Sequence, residues 1–325
     1  MKKLKWGVLG ISGHYRKRIQ LPLSRYDGAE LYALASRDID RAEAAAQLFG
    51  FNRAFGSYQE LIDCNEVDAL YIPLPNTLHL EWIKKAADAG KHVICEKPLC
   101  MTEAETDEAF SYCASKGVFL MEAFMFRFHP QWLRLKEILD SGEIGSVKVI
   151  QCIFSYDNTN PDDIRNKQDG GGALRDIGCY GIAVSNLIVE QEPSGVQAAI
   201  SIDPDFKTDS LTSFILDYSS CHSLVSVSTQ LQPTQNVKII GTSGSIEVLI
   251  PFNIYNDVPA ELKVISGVGE RVVKTEISDQ YHCEFEVFTN AVQSRDSGFF
   301  NMMEKFSKRN QRIMDAVFKA GKTGD

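Results

Sequence analysis

The sequence predicts two domains: an α/β domain with a parallel sheet, then an α+β domain with a large, mostly antiparallel open sheet. Three observations carry this. The chain has 325 residues, more than one hydrophobic core usually organises. Up to about residue 122, short apolar runs alternate with helix-length stretches, the pattern that winds helices onto both faces of a parallel sheet. Beyond that point strand-like segments follow one another with turn residues between them. The expected domains are therefore 1–122 and 123–325, with the last helix able to pack back on the first.

The first strand is the apolar run of Leu4, Trp6, Val8 and Leu9, followed by the glycine-punctuated stretch "GVLGISGHYRKR". "LYALAS" at 31–36 is a strand, and "RDIDRAEAAAQLFG" a helix with an acidic start and Gly50 at its end. Ser57 opens a capping-box spacing, and strand "ALYIPL" at 69–74 leads to a helix closing at Gly90. "KHVICE" is the next strand, Thr102 starts a second capping box, the helix behind it closes at Gly117, and "VFLME" completes the set. In the second half, strands are expected at 147–156, 196–202, 211–218, 223–231, 236–241, 245–250, 261–266 and 271–277. Little helical pattern interrupts them apart from 173–190, and helices near 281–295 and 302–320 close the chain.

The net charge of −9 disfavours nonspecific nucleic-acid binding, which needs a basic surface. The eight cysteines are scattered without zinc spacing, and the six histidines form neither an H-E-x-x-H nor a ligand trio, so no metal is expected. The first residues lack the apolar segment and cleavage site of a secretory signal, and no apolar run is long enough to span a bilayer. The expectation is a cytoplasmic protein with reduced thiols, no membrane partner and no nucleic-acid partner.

Five stretches bear on chemistry. Counted from Gly10, the dinucleotide fingerprint G-x-G-x-x-G meets Ser12 at its second glycine and Tyr15 at its third, with Gly13 between them, so the motif equally reads as an ordinary strand-turn-helix. At the tip of the second strand, where an NAD-binding unit places a carboxylate, stand Ser36 and Arg37. These donors suit a 2′-phosphate and favour NADP over NAD, unless Arg37 is simply solvated. "CEKPL" at 95–99 delivers Lys97 and Glu96 to the ligand edge of the sheet, where Lys97 can stabilise oxyanion charge or form a surface ion pair. "GGGALRDIGCYGI" at 170–182 sets Asp176 and Tyr180 on one helix face, able to orient and protonate a substrate oxygen, or else to serve as a core helix with a buried phenol. Pro75 and Asn76 end the fourth strand at the same edge, which draws His79 toward the ligand unless it is an ordinary helix-surface histidine. No G-x-S-x-G elbow or P-loop is present, so acyl transfer and nucleotide hydrolysis have no support.

Taken in order, "WGVLG", "ASR", "PNTLH", "EKPL", "MEAFMFRFHP", "GGGALRDIGCYGI" and "GTSGSIEV" resemble the glucose-fructose oxidoreductase, inositol dehydrogenase and rhizopine-catabolism (Gfo/Idh/MocA) family from about residue 4 to 248. Within it, the resemblance is to the dimeric dihydrodiol dehydrogenase and NADP-dependent xylose dehydrogenase branch. The resemblance implies a Rossmann domain, an open sheet that forms a homodimer or homotetramer, and hydride transfer between nicotinamide and a secondary alcohol or carbonyl of a sugar, polyol or cyclic diol. It makes Lys97 the active-site lysine, with Pro98 commonly cis, and Tyr180 and Asp176 its catalytic partners facing the nicotinamide. Gly10, Ser12, Gly13, Ser36, Arg37, Pro75, Asn76, His79, Glu96, Lys97 and Arg165 would lie along the cofactor. Tyr15 departs from the small residue usual there, which bears on cofactor affinity. Two further readings on the same fold are a noncatalytic NAD(P)- or sugar-sensing protein and a nucleotide-sugar ketoreductase.

Overall fold

A computed structural model describes residues 3–321 of the chain. They form two compact units. Of the described residues, the first takes in those up to Met125 and Tyr281–Lys308, and the second Phe126–Gln280 and 309–321. The expected boundary at 122/123 thus falls three positions before the structural one, and the assignment of everything after it to the second domain is corrected for 281–308. The reason is aromatic packing. The indole of Trp6, fully buried, meets Phe285 edge-on with ring centroids 4.9 Å apart and Phe288 at 5.5 Å.

The first unit is a six-stranded parallel sheet in the order β3-β2-β1-β4-β5-β6, with β1 Leu4–Leu9, β2 Ala29–Ala35, β3 Arg53–Phe55, β4 Ala69–Ile72, β5 His92–Glu96 and β6 Leu120–Ala123. Every residue of β4 is buried, as a strand covered on both faces requires. The helices between strands are α1 Gln20–Arg25, α2 Ile39–Phe49, α3 Tyr58–Ile62, α4 His79–Asp88 and α5 Glu103–Ser115. Both hydroxyl caps form: the Ser57 and Thr102 hydroxyls each accept from the amide three residues on, at 3.2 Å. Strand order reverses between β1 and β4, so the turn after β1 lies at the topological switch point, where such sheets bind ligands.

The second unit is an eight-stranded sheet in the order β14-β13-β12-β11-β7-β10-β9-β8. The strands are β7 Val147–Asp157, β8 Gly195–Ile202, β9 Asp209–Tyr218, β10 Cys221–Ser228, β11 Gln230–Gly241, β12 Ser245–Val248, β13 Glu261–Ser266 and β14 Gly269–Lys274. All pairs are antiparallel except β10 with β7. Two sequence expectations are corrected. The strand expected at 223–231 breaks after Ser228, and its tail joins 236–241 in one strand, β11, whose register slips around Pro233, which cannot donate to the ladder. The helix α6, Pro130–Asp140, was not expected. Its signals are His129, whose ring accepts from the Gln131 amide at 3.1 Å, Pro130 in the first turn, and Trp132, Leu135 and Ile138 on the buried stripe.

The expected helix at 173–190 begins as one wide π-type turn, Leu174–Gly178, and continues as α7, Cys179–Val189. Gly181 lets α7 lie close on β10, since a Cβ there would sit 2.4 Å from Val225. The chain closes with α8, Gln280–Ser294, and α9, Ser297–Gly321.

The start of the π turn is fixed by Asp209, the first residue of β9. Its buried carboxyl accepts from the Leu174 amide at 2.6 Å and the Thr212 hydroxyl at 2.8 Å. Gly172 makes room for it: its φ is +103°, and a Cβ would stand 2.0 Å from Asp209 Oδ1. Asp209→Ala leaves two buried donors unmatched, so it should lower the unfolding free energy by about 1–3 kcal/mol, read as a lower urea midpoint. A change below about 0.5 kcal/mol, the range of an ordinary surface substitution, would mean that the cap does not hold the turn.

Candidate active site

The stretch after β1 forms a compact turn. Gly10 has φ +99°, a conformation that side chains rarely adopt, and a Cβ there would meet the Tyr58 hydroxyl at 3.2 Å. A Cβ on Gly13 would meet nothing within 4 Å, so the backbone faces open space. The Ser12 hydroxyl accepts from the Tyr15 amide at 3.0 Å, and Arg41, at the start of α2, donates to the Ile11 carbonyl at 3.0 Å. The open backbone, the glycine conformation and the position at the switch point fit a dinucleotide pyrophosphate. Tyr15 is fully buried and packs against Phe49 and Tyr71, with centroids 5.9 and 6.3 Å away. The helix there is wound as a π turn, Tyr15–Ile19, and this wider winding accommodates a phenol where a glycine is usual. At the tip of β2, Ser36 is buried and its hydroxyl accepts from the Asp38 amide at 3.4 Å, whereas Arg37 is exposed.

Lys97 stands directly after β5, half-buried, on a cis peptide to Pro98. The backbone that follows it is held from two sides. The Leu99 amide donates to buried Glu122 at 2.9 Å, and Nδ1 of His79 lies 3.1 Å from the carbonyls of both Pro98 and Leu99. Nε2 of His79 faces the Leu74 carbonyl at 2.9 Å, so this ring ties the end of β4 to the lysine loop. Its burial lowers its proton affinity, and a neutral ring can donate through only one of the two nitrogens. His79 was expected along the cofactor; its ring is completely buried and engaged with backbone carbonyls. Pro75 is exposed, and Asn76 begins a short 3₁₀ turn ahead of α4.

Glu96 is largely buried beside Lys97. Its Oε1 accepts from the Tyr71 hydroxyl at 2.5 Å and stands 3.2 Å from Nε2 of His14. Burial alone would raise its pKa. The contact with His14, the Tyr71 hydroxyl and the Lys97 charge outweigh it and hold the carboxyl at about 2.

In the second unit, Tyr180 is buried on α7, with its ring 5.0 Å from Phe252, 5.7 Å from Phe154 and 5.9 Å from Phe126. Asp176, one turn earlier, accepts from the Tyr156 hydroxyl at 2.5 Å and pairs with Arg165 Nε at 3.2 Å. Arg165 also pairs with Asp163 at 3.2 Å, so this guanidinium, expected along the cofactor, bridges two carboxylates of its own unit. Burial and the Asp176 charge drive the Tyr156 pKa far upward, so its phenol remains a donor.

The structure thus gathers Gly10, Ser12 and Gly13 in one turn, Glu96 and Lys97 beside it, and Asp176 with Arg165 on the second unit. Reasoning from sequence missed His14, Arg41, Tyr71, Glu122, Tyr156 and Asp209. Only Arg41 carried a local signal, lying in the first turn of a capped helix after Arg37. Among the described residues no helix is long and apolar enough to cross a membrane, and all eight cysteines are free thiols.

The model of an oxidoreductase family with an NAD-binding Rossmann fold matches residues 4–124, and that of the GFO/IDH/MocA C-terminal domain matches residues 132–247. The D-xylose 1-dehydrogenase (NADP(+)) 2 of Haloferax volcanii is 37% identical over 325 residues, covering 99% of this chain and 98% of the relative. The trans-1,2-dihydrobenzene-1,2-diol dehydrogenase of Xenopus laevis is 31% identical over 247 residues, 75% of this chain and 74% of the relative. The crystal structure of a 3-ketoreductase from Actinomadura kijaniata, in complex with NADP and TDP-benzene, superposes with a TM-score of 0.93 at 28% identity over 98% of both chains. Sequence, domain order and both sheets agree in placing this chain in the GFO/IDH/MocA oxidoreductase family.

Proposed function

We propose that the protein is an NADP-dependent oxidoreductase that moves a hydride between nicotinamide and a secondary alcohol or carbonyl of a sugar, polyol or cyclic diol. The observation that carries this is the 3.2 Å pair between His14 and Glu96, which sets the residue before Lys97 against the phosphate turn within one unit. The xylose and dihydrodiol dehydrogenases and the NADP complex of the ketoreductase support the same reading. Gly10, Ser12 and Gly13 would hold the pyrophosphate, and Ser36 and Arg37 the ribose 2′-phosphate, with Pro75 and Asn76 at the nicotinamide side of the strand ends. When bound, the cofactor supplies the hydride acceptor or donor at its nicotinamide C4.

The chain's own residues do the rest. As an alcohol becomes a carbonyl its oxygen loses a proton, and in the reverse direction negative charge builds on that oxygen. The Lys97 ammonium stabilises this charge, and the Tyr180 hydroxyl exchanges the proton. A phenol has an ordinary pKa near 10, so Tyr180 needs a cation to work at neutral pH. Asp176, held by Tyr156 and Arg165, fixes the substrate hydroxyls. The similarity to the 3-ketoreductase favours a second reading, reduction of a nucleotide-bound keto sugar. A panel of free sugars, diols and nucleotide sugars, followed by reduced-nicotinamide absorbance, separates the two.

The outer face of the second unit's sheet is apolar and open. Ile153, Ile215 and Leu224 are 36–49% exposed there and alternate with inward-facing residues, bordering a shallow depression with Gln151, Ser213 and Asn236. Pairing two such faces would bury it. We propose a homodimer or homotetramer assembled through this face, working in the cytoplasm, which the eight free thiols support.

Three outcomes check these assignments. Arg37→Ala should weaken NADP by about 1.5–3 kcal/mol and NAD far less; equal losses would remove the 2′-phosphate contact. Tyr180→Phe and Lys97→Met should each reduce turnover by roughly 100-fold or more, with NADP affinity within several-fold of wild type. A Tyr180→Phe enzyme at near wild-type turnover would move proton transfer to Lys97 or water. Light scattering at micromolar concentration should give at least a dimer, and Ile215→Asp with Leu224→Asp a monomer; a monomeric wild type would rule out pairing through the sheet.

A further inference from the structure

The loop between β7 and the π turn at Leu174 carries Arg165, the guanidinium that pairs with Asp176. One buried amide gives this loop its shape. Asn166 is only 4% exposed, and its Nδ2 donates to the carbonyls of both Asn158, at 3.0 Å, and Asn160, at 2.8 Å, so both hydrogens of the amide are used. Those carbonyls lie at the root of the loop, where the Asn158 amide donates to the Thr229 carbonyl at 2.8 Å, just beyond β10. The Asn166 side chain thus folds the later part of the loop back onto its anchored start. On the other side of Arg165, its carbonyl accepts from the Gly172 amide at 2.8 Å, and a Cβ on Gly171 would stand 2.2 Å from that oxygen. Arg165 lies between the two fastenings. Its side chain is 38% exposed, so its hold on Asp176 depends on where the backbone beneath it is kept.

We propose that Asn166 is a positioning residue for Asp176, acting through Arg165 by fixing the backbone from which the guanidinium reaches the carboxylate. Asp176 Oδ2 takes both the Tyr156 hydroxyl and Arg165 Nε, so losing the guanidinium leaves the phenol alone to orient that oxygen. Asp163 cannot do the fixing. It caps the short 3₁₀ turn Ile164–Asn166 and pairs with Arg165 from two residues away, so it travels with the turn and does not tie it to the root of the loop. Without the Asn166 amide, two carbonyls lose their donors, and Arg165 keeps Asp163 while its hold on Asp176 loosens. The bearing of this on turnover rests on the role proposed for Asp176 above. The placement of Arg165 does not.

The test reads Arg165 directly and needs no turnover. Phenylglyoxal attacks the neutral guanidine, so a carboxylate that holds the proton on Arg165, as Asp176 does, slows the labelling. The full-length protein is labelled at pH 8, and mass spectrometry of the peptide that carries Arg165 gives its rate. Arg271, paired with Glu143 at 2.6 Å in the same unit, is the internal reference for an intact fold. Asn166→Ala should speed labelling of Arg165 by about three-fold or more, the weight of a partly exposed ion pair, and leave Arg271 as in the wild type. In an Asp176→Asn background the same change should have no effect, because the pair it loosens is already gone. Gly171→Ala, which displaces Arg165 from the other side, should speed labelling in the same way and serves if Asn166→Ala fails to fold. Equal speeding by Asn166→Ala in both backgrounds, or none in either, would overturn the proposal. On a substrate that turns over, Asn166→Ala should raise KM more than it lowers kcat, as expected when a group that grips the ground-state hydroxyls is loosened; a fall in kcat alone would overturn the link to Asp176. The expected labelling in a protein that oxidises or reduces nothing in the substrate panel would uphold the placement of Arg165 and overturn the oxidoreductase reading.

Discussion

A carboxylate stays ionised in a protein interior only where donors and cations replace the water it has lost. Glu96 imposes that constraint on the first unit, and its surroundings meet it with a phenol that can only donate, an imidazole and an ammonium. Because these groups come from the phosphate turn, β4 and the end of β5, satisfying the charge also fixes the three segments relative to one another. The lysine loop gains its definition from the same source. Glu122 and His79 hold its backbone from the other side.

Another arrangement of the same kind organises the second unit. Asp209 fastens the entry of the π turn, Gly172 vacates the space that the fastening needs, and Gly181 brings α7 onto β10. Asp176 then lies within reach of Tyr156 and Arg165, and its charge is balanced before any substrate arrives. Preorganised charges of this kind act on a developing oxyanion or hydroxyl without reorganising during the reaction. Tyr180 packs among Phe126, Phe154 and Phe252, which restricts its ring.

The features legible in the sequence are those written locally. The hydroxyl caps at Ser57 and Thr102, the left-handed Gly50 after α2 and the alternation of strand and helix each depend on residues a few positions apart. Strand β3 has only three residues, too few for a period, and α6 was hidden because its signals are one proline and a narrow apolar stripe. At the site, Lys97, Glu96, Asp176 and Tyr180 stood out because their motifs are contiguous. His14 and Tyr71 did not, because their importance lies in a contact with Glu96 from a distant part of the chain. His79 opens α4 with its ring buried, and which way that ring faces depends on the carbonyls of a loop that comes later in the chain. The membership of 281–308 in the first unit was likewise beyond local pattern, resting on what the apolar face of α8 finds in Trp6.

The proposed function requires that hydride pass directly between substrate carbon and nicotinamide. Its most direct test uses a sugar or diol that turns over in the panel, deuterated at the carbon to be oxidised, with purified protein and NADP. The deuterium is expected at C4 of the reduced nicotinamide, on a single face of the ring. Deuterium released to water, or tight NADP binding without transfer from any member of the panel, would contradict it.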